Sequence, residues 1–267
     1  MLSSIKEVIQ KIFNFFGFKI VGIKKLIKHN SFDALHEFII KNFCKGEKLI
    51  ILDIGANEGD SVYRFKKIFP DSKIYCFEPN EELLNLVNSK NKFDNVIKNN
   101  FAVGAKKEKK EFYFYNSHRI SSFYPVVERS KYQRLKVQGK KDFIVKKVNV
   151  ETLDEYCLSN NIKDIDILKI DTQGSEAEVL MGAENLLHNQ RIKIVELEYI
   201  LGIAHQNANV LYDIENELNK SSYKLIAIEN SGNIISFSRY QTNLIYVRED
   251  IYKKIQLMHE ADQNLKY

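Results

Sequence analysis

Two acidic side chains and one glycine turn are the residues of this chain whose types and spacing most clearly indicate chemistry. Asp53 closes an apolar run at residues 49–52, and a turn with Gly55 and Gly59 follows it. Glu78 closes a second apolar run roughly 20 residues beyond that turn, the spacing at which an acid can accept hydrogen bonds from both hydroxyls of a ribose. Because glycine permits a tight turn and a close backbone approach, this arrangement predicts a pocket for a ligand that contains a nucleoside.

The sequence of the turn narrows the choice of ligand. It reads Gly-Ala-Asn-Glu-Gly and lacks the third glycine with which a dinucleotide-binding helix approaches a pyrophosphate, so a dinucleotide is the weaker interpretation. S-adenosyl-L-methionine has no phosphate, and its ammonium, carboxylate, ribose and adenine suit Asp53, exposed loop amides and Glu78. The residues that we predict to contact this cofactor are Asp53, Gly55, Asn57, Gly59, Asp60, Glu78, Pro79, Asn100 and Ala102. The alternative is a glycine turn that binds no ligand.

A third acid and a lysine form a second candidate site. Asp171 follows the apolar segment 165–170, which contains Lys169, and in a strand these two side chains share a face. We expect Asp171 to orient or deprotonate an acceptor hydroxyl, with Lys169 holding the carboxylate in place. His118 and His205 are alternative bases, because histidine titrates nearest to neutral pH. A divalent metal could also activate the hydroxyl, but no dense cluster of His, Asp and Glu in the sequence indicates one.

Hydrophobic periodicity predicts the elements that must position these side chains. Strands are predicted near residues 49–52, 74–78, 95–104, 111–115, 143–150, 165–170, 193–199, 223–229 and 243–247. Helices are predicted from the glycine turn to Pro70 and near residues 81–91, 152–158, 176–187 and 210–218. Short apolar strands that alternate with helices are typical of an α/β fold with a mostly parallel sheet, whose ligands bind outside the carboxyl ends of the strands.

A long polar and basic segment at residues 116–142 separates two predicted strands. It contains both histidine and arginine side chains, among them His118, Arg119, Arg129 and Arg134. A loop of this length inside a compact domain is usually a functional lid or a mobile segment. Two interpretations therefore stay open, a lid over an anionic or sugar-rich acceptor and a solvated charged insertion.

The chain also has distinct ends. Residues 1–45 form a basic, amphipathic helical segment, followed by the main domain at residues 46–250 and a C-terminal tail at residues 251–267. A helix within residues 1–28 could lie on an anionic membrane surface. We favour the alternative, in which this helix packs against the neighbouring domain or a second subunit.

Composition limits the class of protein. The chain has 267 residues, of which 44% are hydrophobic, enough for one sizeable α/β domain. Its net charge of +5 is modest, and no nucleic-acid-binding motif accompanies it, so we expect no nucleic-acid partner. The scattered Cys44, Cys76 and Cys157 predict reduced thiols in a cytoplasmic protein, with peripheral contact at the inner face of the membrane as the alternative. No apolar run is long enough to span a bilayer.

Four motifs, in order along the chain, carry a family resemblance. They read DIGANEGDSV, CFEPN, VNVETLDEYC and ILKIDTQGSEAEVLMGA, and the match runs from about Leu49 to about Tyr223. This order resembles the FkbM family of S-adenosylmethionine-dependent methyltransferases. The chain departs from the family pattern at Gln173 and Asn243, where members commonly carry an acid. Its basic N-terminal segment is similar to members associated with surface-polysaccharide modification.

The resemblance implies a class I methyltransferase fold, a Rossmann-like sheet of seven mostly parallel strands with helices on both faces. It also implies O-methylation of a small-molecule or glycan acceptor, such as a natural product, a sugar or a glycan precursor. The alternatives are a non-catalytic module that binds S-adenosylmethionine or a nucleotide, and an NAD-dependent oxidoreductase. The sequence names neither the acceptor nor the oligomeric state.

Overall fold

The computed structural model describes residues 32–44, 48–89, 91–127, 143–200, 205–229 and 241–264, with the side chains of the last range described to residue 258. Contacts within the chain define two units, Met1–Asn42 and Phe43–Tyr267. The described part of the first unit belongs to helix α1, Phe32–Phe43. Residues 1–28 and most of the predicted lid lie outside the described residues. So does the Ser-Gly-Asn segment at residues 231–233, whose residue types indicate a turn between the last two predicted strands.

Strands and helices alternate along the second unit. Its described strands are β1 Ile50–Ile54, β2 Lys73–Phe77, β3 Val96–Asn99, β4 Ala102–Val103, β5 Glu108–Tyr115, β6 Phe143–Glu151, β7 Ile165–Ile170, β8 Ile192–Ile200, β9 Lys224–Ile228 and β10 Gln241–Val247. Its described helices are α2 Asp60–Ile68, α3 Glu81–Leu86, α4 Leu153–Ser159, α5 Glu176–Met181, α6 Glu184–His188, α7 Leu211–Lys220 and α8 Glu249–Asn264. A short 3₁₀ turn at His118–Ile120 follows β5.

Seven of these strands form one sheet, in the order β3-β2-β1-β7-β8-β10-β9. Neighbouring strands from β3 to β8 are parallel, whereas β10 is antiparallel to both β8 and β9. The chain builds the sheet outward from β1 in one direction and then returns to place β7 on the other side of β1. Ligands of such sheets bind at this switch point, outside the carboxyl ends of the strands. The predicted seven-stranded, mostly parallel α/β fold is confirmed.

The central strands are buried because their sequences are nearly continuous apolar runs. β7 is buried along its whole length, and four of the five residues of β1 are buried. Leu52, Leu168 and Leu180 of α5 belong to the same core cluster, where each buried leucine contributes about 1.5–3 kcal/mol. Asp53 and Lys169 interrupt these apolar strands and are themselves buried. Two buried charges in adjacent central strands must therefore be compensated locally.

A smaller sheet lies beside the main one, with strand order β4-β6-β5. Residues 117–127, the described first part of the predicted lid, run back along it. Tyr113 of β5 pairs with Ser122, and Val126 pairs with His205, which follows β8. These two bridges tie the start of the predicted lid to both a strand and a loop.

Two predicted elements are interrupted in the structure. The long helix predicted after the lysine strand is divided into α5 and α6 at Gly182, where an added Cβ would lie 2.1 Å from the carbonyl oxygen of Gly104. The third predicted strand is likewise divided into β3 and β4 at Asn100 and Phe101. Both interruptions come from tertiary contacts, which periodicity in the sequence does not report.

The C-terminal segment of the chain contains a helix, and the cysteines form no disulfide. The predicted tail is largely helical, since α8 extends to Asn264. Within the described ranges, every helix is too short or too polar to cross a bilayer. The three cysteines are free, and Cys76 and Cys157 are buried as expected, whereas Cys44 is half-buried.

The glycine turn is fixed by a backbone contact that predicts a large effect of one methyl group. Gly55 has φ +81°, and an added Cβ would lie 1.9 Å from the carbonyl oxygen of Asp171. Gly55→Ala should lower the free energy of unfolding by about 2–5 kcal/mol, through left-handed strain plus overpacking against backbone. Urea unfolding measures this loss. Gly104→Ala is the matched control, because its added Cβ would meet only a side-chain methyl of Val150, at 2.8 Å. Losses of equal size in both variants would contradict the contact as the cause.

Candidate functional site

A cavity of about 550 Å³ opens at the carboxyl ends of β1, β2, β7 and β8. The predicted cofactor residues that line it are Gly55, Asn57, Asp60, Glu78, Pro79 and Ala102. The predicted catalytic residues that line it are Lys169, Asp171 and His118. Four predicted site residues do not line it, namely Asp53, Gly59, Asn100 and His205. The fold thus brings most of the predicted residues to one place.

Glu78 ends β2 with its carboxylate fixed by the backbone. One oxygen accepts a hydrogen bond from the backbone N–H of Asn57 at 3.0 Å, and the other accepts one from the N–H of Asn80 at 2.9 Å. Burial raises the pKa of Glu78 to about 7, against the lowering effect of these two amides. A carboxylate has about four lone-pair positions, so each oxygen can still accept a hydrogen bond from a ligand.

The structure corrects the predicted role of Asp53. Its side chain is fully buried, accepts a hydrogen bond from the hydroxyl of Ser61 and lies 3.7 Å from the Nζ atom of Lys169. Burial raises the pKa of Asp53, and Lys169 opposes that rise. Asp53 is therefore one of two counterions of the buried ammonium, together with Asp171, and it does not line the cavity.

Gly59 and Asn100 do not line the cavity but fix the backbone around it. Gly59 precedes α2 with φ +92°, and an added Cβ would lie 3.1 Å from the side chain of Val87. The Asn100 amide donates hydrogen bonds to the carbonyl oxygens of Glu78 and Pro79, at 3.0 and 3.2 Å. It holds the chain after β2 in place and has no surface in the cavity.

Charged side chains form a row across three central strands. Lys169 is the register partner of Asp53 on β1 and of Glu196 on β8. Its Nζ atom also lies 3.3 Å from Asp171, and its side chain is 10% exposed. Burial would lower the pKa of Lys169, but the carboxylates of Asp171 and Asp53 outweigh burial and raise it. The ammonium therefore stays charged, and Arg64 neutralises Glu196 through contacts of 2.7 and 2.8 Å.

Asp171 belongs to a chain of carboxylates and amides at the far end of the cavity. The Gln173 Nε2 atom donates hydrogen bonds to Asp171 at 2.9 Å and to Glu198 at 2.7 Å. Gln241 of β10 donates to the same Glu198 oxygen at 3.0 Å. Gln173 stands where an acid was noted to be common, and its amide bridges two carboxylates that would otherwise repel each other.

The two carboxyl groups of this chain differ in their affinity for protons. Burial alone would raise the pKa of Asp171, but the Lys169 ammonium and the Gln173 hydrogen bond lower it below its ordinary value. Burial and the charge of Asp171 raise the pKa of Glu198 to about 8. Asp171 is thus a weaker base than the sequence led us to expect, since a carboxylate stabilised in its charged form accepts protons poorly.

The two histidines proposed as alternative bases have different surroundings. His118 lines the cavity, with its Nε2 atom 3.3 Å from a carboxylate oxygen of Glu58. His205 is 1% exposed, and its Nε2 atom lies 3.1 Å from the carbonyl oxygen of Ile120. Burial lowers the pKa of His205. This contact gives His205 a role in fixing the segment over the cavity, while its role as a base stays a prediction.

Several cavity residues were missed by the sequence analysis. They are Ser61, Arg64, Gln173, Glu196, Glu198 and Gln241. One signal was available, because Glu196 and Glu198 alternate in an otherwise apolar strand and so share a face. Among the described residues, no group of three or more His, Cys, Asp and Glu side chains could hold a metal ion.

A family model of known proteins matches more than half of this sequence. Residues 53–225 match the Methyltransferase FkbM domain. The chain belongs to the FkbM methyltransferase family. The matched region of this FkbM protein extends from Asp53 in β1 to Leu225 in β9, and so contains Glu78, Lys169, Asp171 and Glu198.

Individual relatives of this FkbM protein are distant. The 2-O-methyltransferase NoeI of Sinorhizobium fredii (strain NBRC 101917 / NGR234) is 25% identical over 158 residues, which are 55% of this chain and 62% of NoeI. The matched region thus spans less than two thirds of that relative. The structure of methyltransferase FkbM from Methylobacillus flagellatus KT has a TM-score of 0.47 and 14% identity, covering 78% of this chain and 47% of that chain. The structure of a SAM-dependent methyltransferase from Aquifex aeolicus has a TM-score of 0.40 and 14% identity. The match covers 85% of this chain and 98% of that chain.

The charged row predicts a pH-dependent loss of stability when its cation is removed. Lys169→Met should lower the free energy of unfolding by about 3–5 kcal/mol at pH 8, because the buried Asp53 and the half-buried Asp171 lose their shared counterion. Without the ammonium, the pKa values of Asp53 and Asp171 should rise in the folded variant. Both groups then take up protons as the pH falls, so the deficit relative to wild type should shrink toward pH 5.

Urea unfolding at pH 5 and pH 8 measures both deficits. Lys107→Met is the matched control, since Lys107 forms an exposed ion pair with Glu151 at 2.9 Å. It should leave the free energy of unfolding close to the wild-type value at both pH values. A Lys169→Met deficit that is the same at pH 5 and pH 8 would contradict the proposed charge compensation.

Proposed function

We propose that this chain is an S-adenosylmethionine-dependent O-methyltransferase whose acceptor is a hydroxyl group of a sugar or glycan precursor. The observation that supports it best is the carboxylate of Glu78, held by two backbone amides at the lip of the switch-point cavity. Membership of a methyltransferase family supports the reaction type. The name of the relative NoeI, a 2-O-methyltransferase, supports oxygen as the acceptor atom.

The residues of the cavity fit this cofactor. Both oxygens of Glu78 keep lone pairs with which to accept the two ribose hydroxyls. The positive φ of Gly55 and its contact with the Asp171 carbonyl leave no room for a side chain at the turn. Ala102, Val103 and Phe77 give the adjoining wall an apolar surface suited to a purine ring. The volume of about 550 Å³ falls within the usual range for ligand pockets.

The chain's own residues then have separate tasks. When bound, S-adenosylmethionine supplies an electrophilic methyl group. Glu78 holds the ribose end of the cavity, and Asp171, kept ionised by Lys169, lines the acceptor end with its carboxylate. Holding two reactants in a reactive geometry is itself a large part of catalysis of such a displacement.

The residues at the acceptor end of the cavity favour binding of a neutral molecule that is rich in hydroxyl groups. Its walls carry Asp171, Gln173, Glu198, Gln241 and Asn243. Amides and carboxylates suit sugar hydroxyls, because each hydroxyl both donates and accepts hydrogen bonds. Two neighbouring carboxylates instead repel an anion. We therefore propose a neutral sugar acceptor.

The predicted lid contains many basic residues, which could indicate an anionic acceptor. The structure gives little support for that interpretation. The structure describes Arg119, which lies 3.0 Å from Asp60 and is 70% exposed. Its charge is thus offset by a neighbour within the same cavity wall. Arg129 and Arg134 lie outside the described residues.

Two other functions from the sequence analysis are outcomes of the tests below. An NAD-dependent oxidoreductase would bind nicotinamide cofactor, whose pyrophosphate the turn at residues 55–59 does not suit. A non-catalytic module would bind S-adenosylmethionine and release no S-adenosylhomocysteine with any acceptor. Natural products with accessible hydroxyls remain an alternative acceptor class.

If Glu78 binds the ribose, its substitution should weaken binding of the nucleoside part of the cofactor. Glu78→Gln should weaken binding of S-adenosylmethionine by about 10–100-fold, because hydrogen bonds to a charged acceptor are worth about 1.5–3 kcal/mol each. Calorimetric titration measures the dissociation constant. Glu82→Gln is the matched control, since Glu82 is exposed in the first turn of α3.

The raised pKa of Glu78 adds a pH dependence to this test. 5′-Methylthioadenosine is the better probe, because it has the ribose and adenine without the titrating amino group. Below the pKa of about 7 the Glu78 carboxyl is protonated and accepts more weakly, so wild-type affinity should rise between pH 6 and pH 8. Glu78→Gln should show no such rise. Unchanged affinity in Glu78→Gln would remove the proposed cofactor site.

The acceptor proposal predicts discrimination by charge. Incubated with S-adenosylmethionine and a panel of methyl glycosides, the protein should release S-adenosylhomocysteine and a sugar ether, both detected by mass spectrometry. For a neutral glycoside that is a substrate, the matching glycuronide should have a kcat/KM at least about 10-fold lower, because its carboxylate meets Asp171 and Glu198. Added salt should narrow this ratio. A glycuronide that reacts faster than its neutral counterpart would favour the anionic acceptor instead.

A further inference from the structure

We propose that Glu198 is the catalytic base that takes the proton of the acceptor hydroxyl, with Asp171 as its ionised partner. The inference rests on the proposed methyl transfer and assigns a residue that the sequence analysis did not single out. Glu198 lies near the end of β8 and lines the acceptor end of the cavity together with Asp171. A base must reach the proton that it removes, and this position meets that requirement.

The orientation of Glu198 is fixed by two amide donors. Gln173 and Gln241 both donate to its Oε2 atom, at 2.7 and 3.0 Å. They approach from different elements, the turn after β7 and the start of β10. Two donors on one oxygen hold the side chain in place and leave the other oxygen, Oε1, as the better proton acceptor. A base held in one geometry loses little entropy in the reaction.

Glu198 and Asp171 are a pair of carboxyl groups whose surroundings separate their affinities for protons. Asp171 is held ionised by Lys169 at 3.3 Å and by Gln173 at 2.9 Å. Within the part of the chain that the structure describes, Glu198 forms no ion pair with a cation, and the negative charge of Asp171 raises its pKa further. Paired carboxyls with separated pKa values are a common way to divide acid and base roles. A proton that arrives on Glu198 is stabilised by a hydrogen bond to Asp171.

The surroundings of Glu198 come from several elements. The charged and polar groups that face it are Lys169 and Asp171 from β7 and its end, Gln173 from the following turn, and Gln241 and Asn243 from β10. Glu196, on the same strand, is neutralised by Arg64 of α2. None of these contacts supplies a second cation to Glu198, so the group stays poised to accept a proton near the pH at which proteins work.

The other candidate bases are less well placed. Both oxygens of Asp171 already accept hydrogen bonds, one from Lys169 and one from Gln173. His205 does not line the cavity. His118 lines it, but its Nε2 atom lies 3.3 Å from the carboxylate of Glu58. Glu198 combines access with a raised proton affinity.

The step balances in atoms and charge. The O–H bond of the acceptor breaks, and its proton goes to the carboxylate of Glu198. The acceptor oxygen uses the electron pair thus released to form the new C–O bond, and the electron pair of the broken C–S bond stays on sulfur. The positive charge of the sulfonium and the negative charge of Glu198 are both cancelled, which leaves a sugar ether, a neutral thioether and a protonated carboxyl.

The first test measures Glu198 directly, without cofactor or acceptor. Carbon NMR of protein labelled with ¹³C at the glutamate side-chain carboxyl should contain one resonance that titrates near pH 8 and is missing in Glu198→Gln. Asp171→Asn should move that midpoint to lower pH, because it removes the negative charge that raises it. Glu111→Gln, at an exposed site on β5, should leave the resonance unchanged. A Glu198 midpoint near the ordinary glutamate value of about 4.3 would overturn the proposal.

The second test measures turnover with the reactive members of the methyl glycoside panel. Glu198→Gln should lower kcat by about 10²–10⁴-fold while the dissociation constant for S-adenosylhomocysteine changes little. At saturating S-adenosylmethionine, wild-type kcat/KM for the glycoside should rise with pH through about 8, since the carboxylate form is the base, and Glu198→Gln should lose this rise. Glu198→Asp, which keeps a carboxyl group and guards against a misfolded glutamine variant, should retain the rise at a reduced rate. Near-normal turnover in Glu198→Gln would overturn the assignment.

The outcomes separate this inference from the proposed function. A wild-type protein that binds no S-adenosylmethionine refutes the proposed function, whatever Glu198 does. A protein that binds and methylates, but whose pH dependence survives in Glu198→Gln, refutes only the role of Glu198. If no glycoside in the panel reacts, an ordinary glutamate midpoint in the NMR titration still overturns the role of Glu198.

Discussion

The ammonium of Lys169 is the charge on which the arrangement of this site depends. It lies near the carboxyl end of a buried strand, where an uncompensated cation would cost several kcal/mol, so carboxylates must surround it. Asp53 supplies one from β1, and Asp171 supplies another from beyond the end of β7. The side chain of Asp53 compensates the ammonium and does not line the cavity. The carboxylate of Asp171 is shared, because it compensates the lysine on one side and faces the cavity on the other.

A backbone contact joins the two halves of the cavity. The carbonyl oxygen of Asp171 lies where a side chain of Gly55 would be, so the turn after β1 and the turn after β7 are packed directly against each other. The N–H groups of Gly55 and Ala56 in turn donate to the carbonyl oxygen of Phe77, at 3.0 Å each. The ends of three adjacent strands are therefore fixed relative to one another by backbone atoms. Such contacts preorganise a cavity at low entropic cost, because no side chain must be immobilised to form them.

Much of this could be predicted from the sequence, and the failures have physical causes. Continuous apolar runs identified the central strands, and the acid about 20 residues after the glycine turn identified Glu78. Asp53 was assigned to the ligand because a strand-end acid has two possible partners, and only the register with Lys169 in the fold shows which one it takes. Gln173 and Glu198 were missed because the pairing of β7, β8 and β10 brings them together, whereas the alternation of Glu196 and Glu198 in the sequence indicates only that those two share a face. The division of a predicted helix at Gly182 likewise follows from a distant carbonyl group.

Glu78 and Glu198 illustrate how burial acquires different chemical meanings at two positions of one cavity. Burial raises the pKa of both side chains, to about 7 and about 8. The partners of Glu78 are backbone N–H groups, which stabilise its charged form and cannot exchange roles, so it suits permanent acceptance of hydrogen bonds. Glu198 also accepts hydrogen bonds from amides, those of Gln173 and Gln241, but the carboxylate of Asp171 repels its charged form and accepts a hydrogen bond from its protonated form. In the proposed mechanism, the same residue type thus holds a ligand at the end of one strand and carries a proton near the end of another, and the difference lies in the carboxylate of Asp171 beside Glu198.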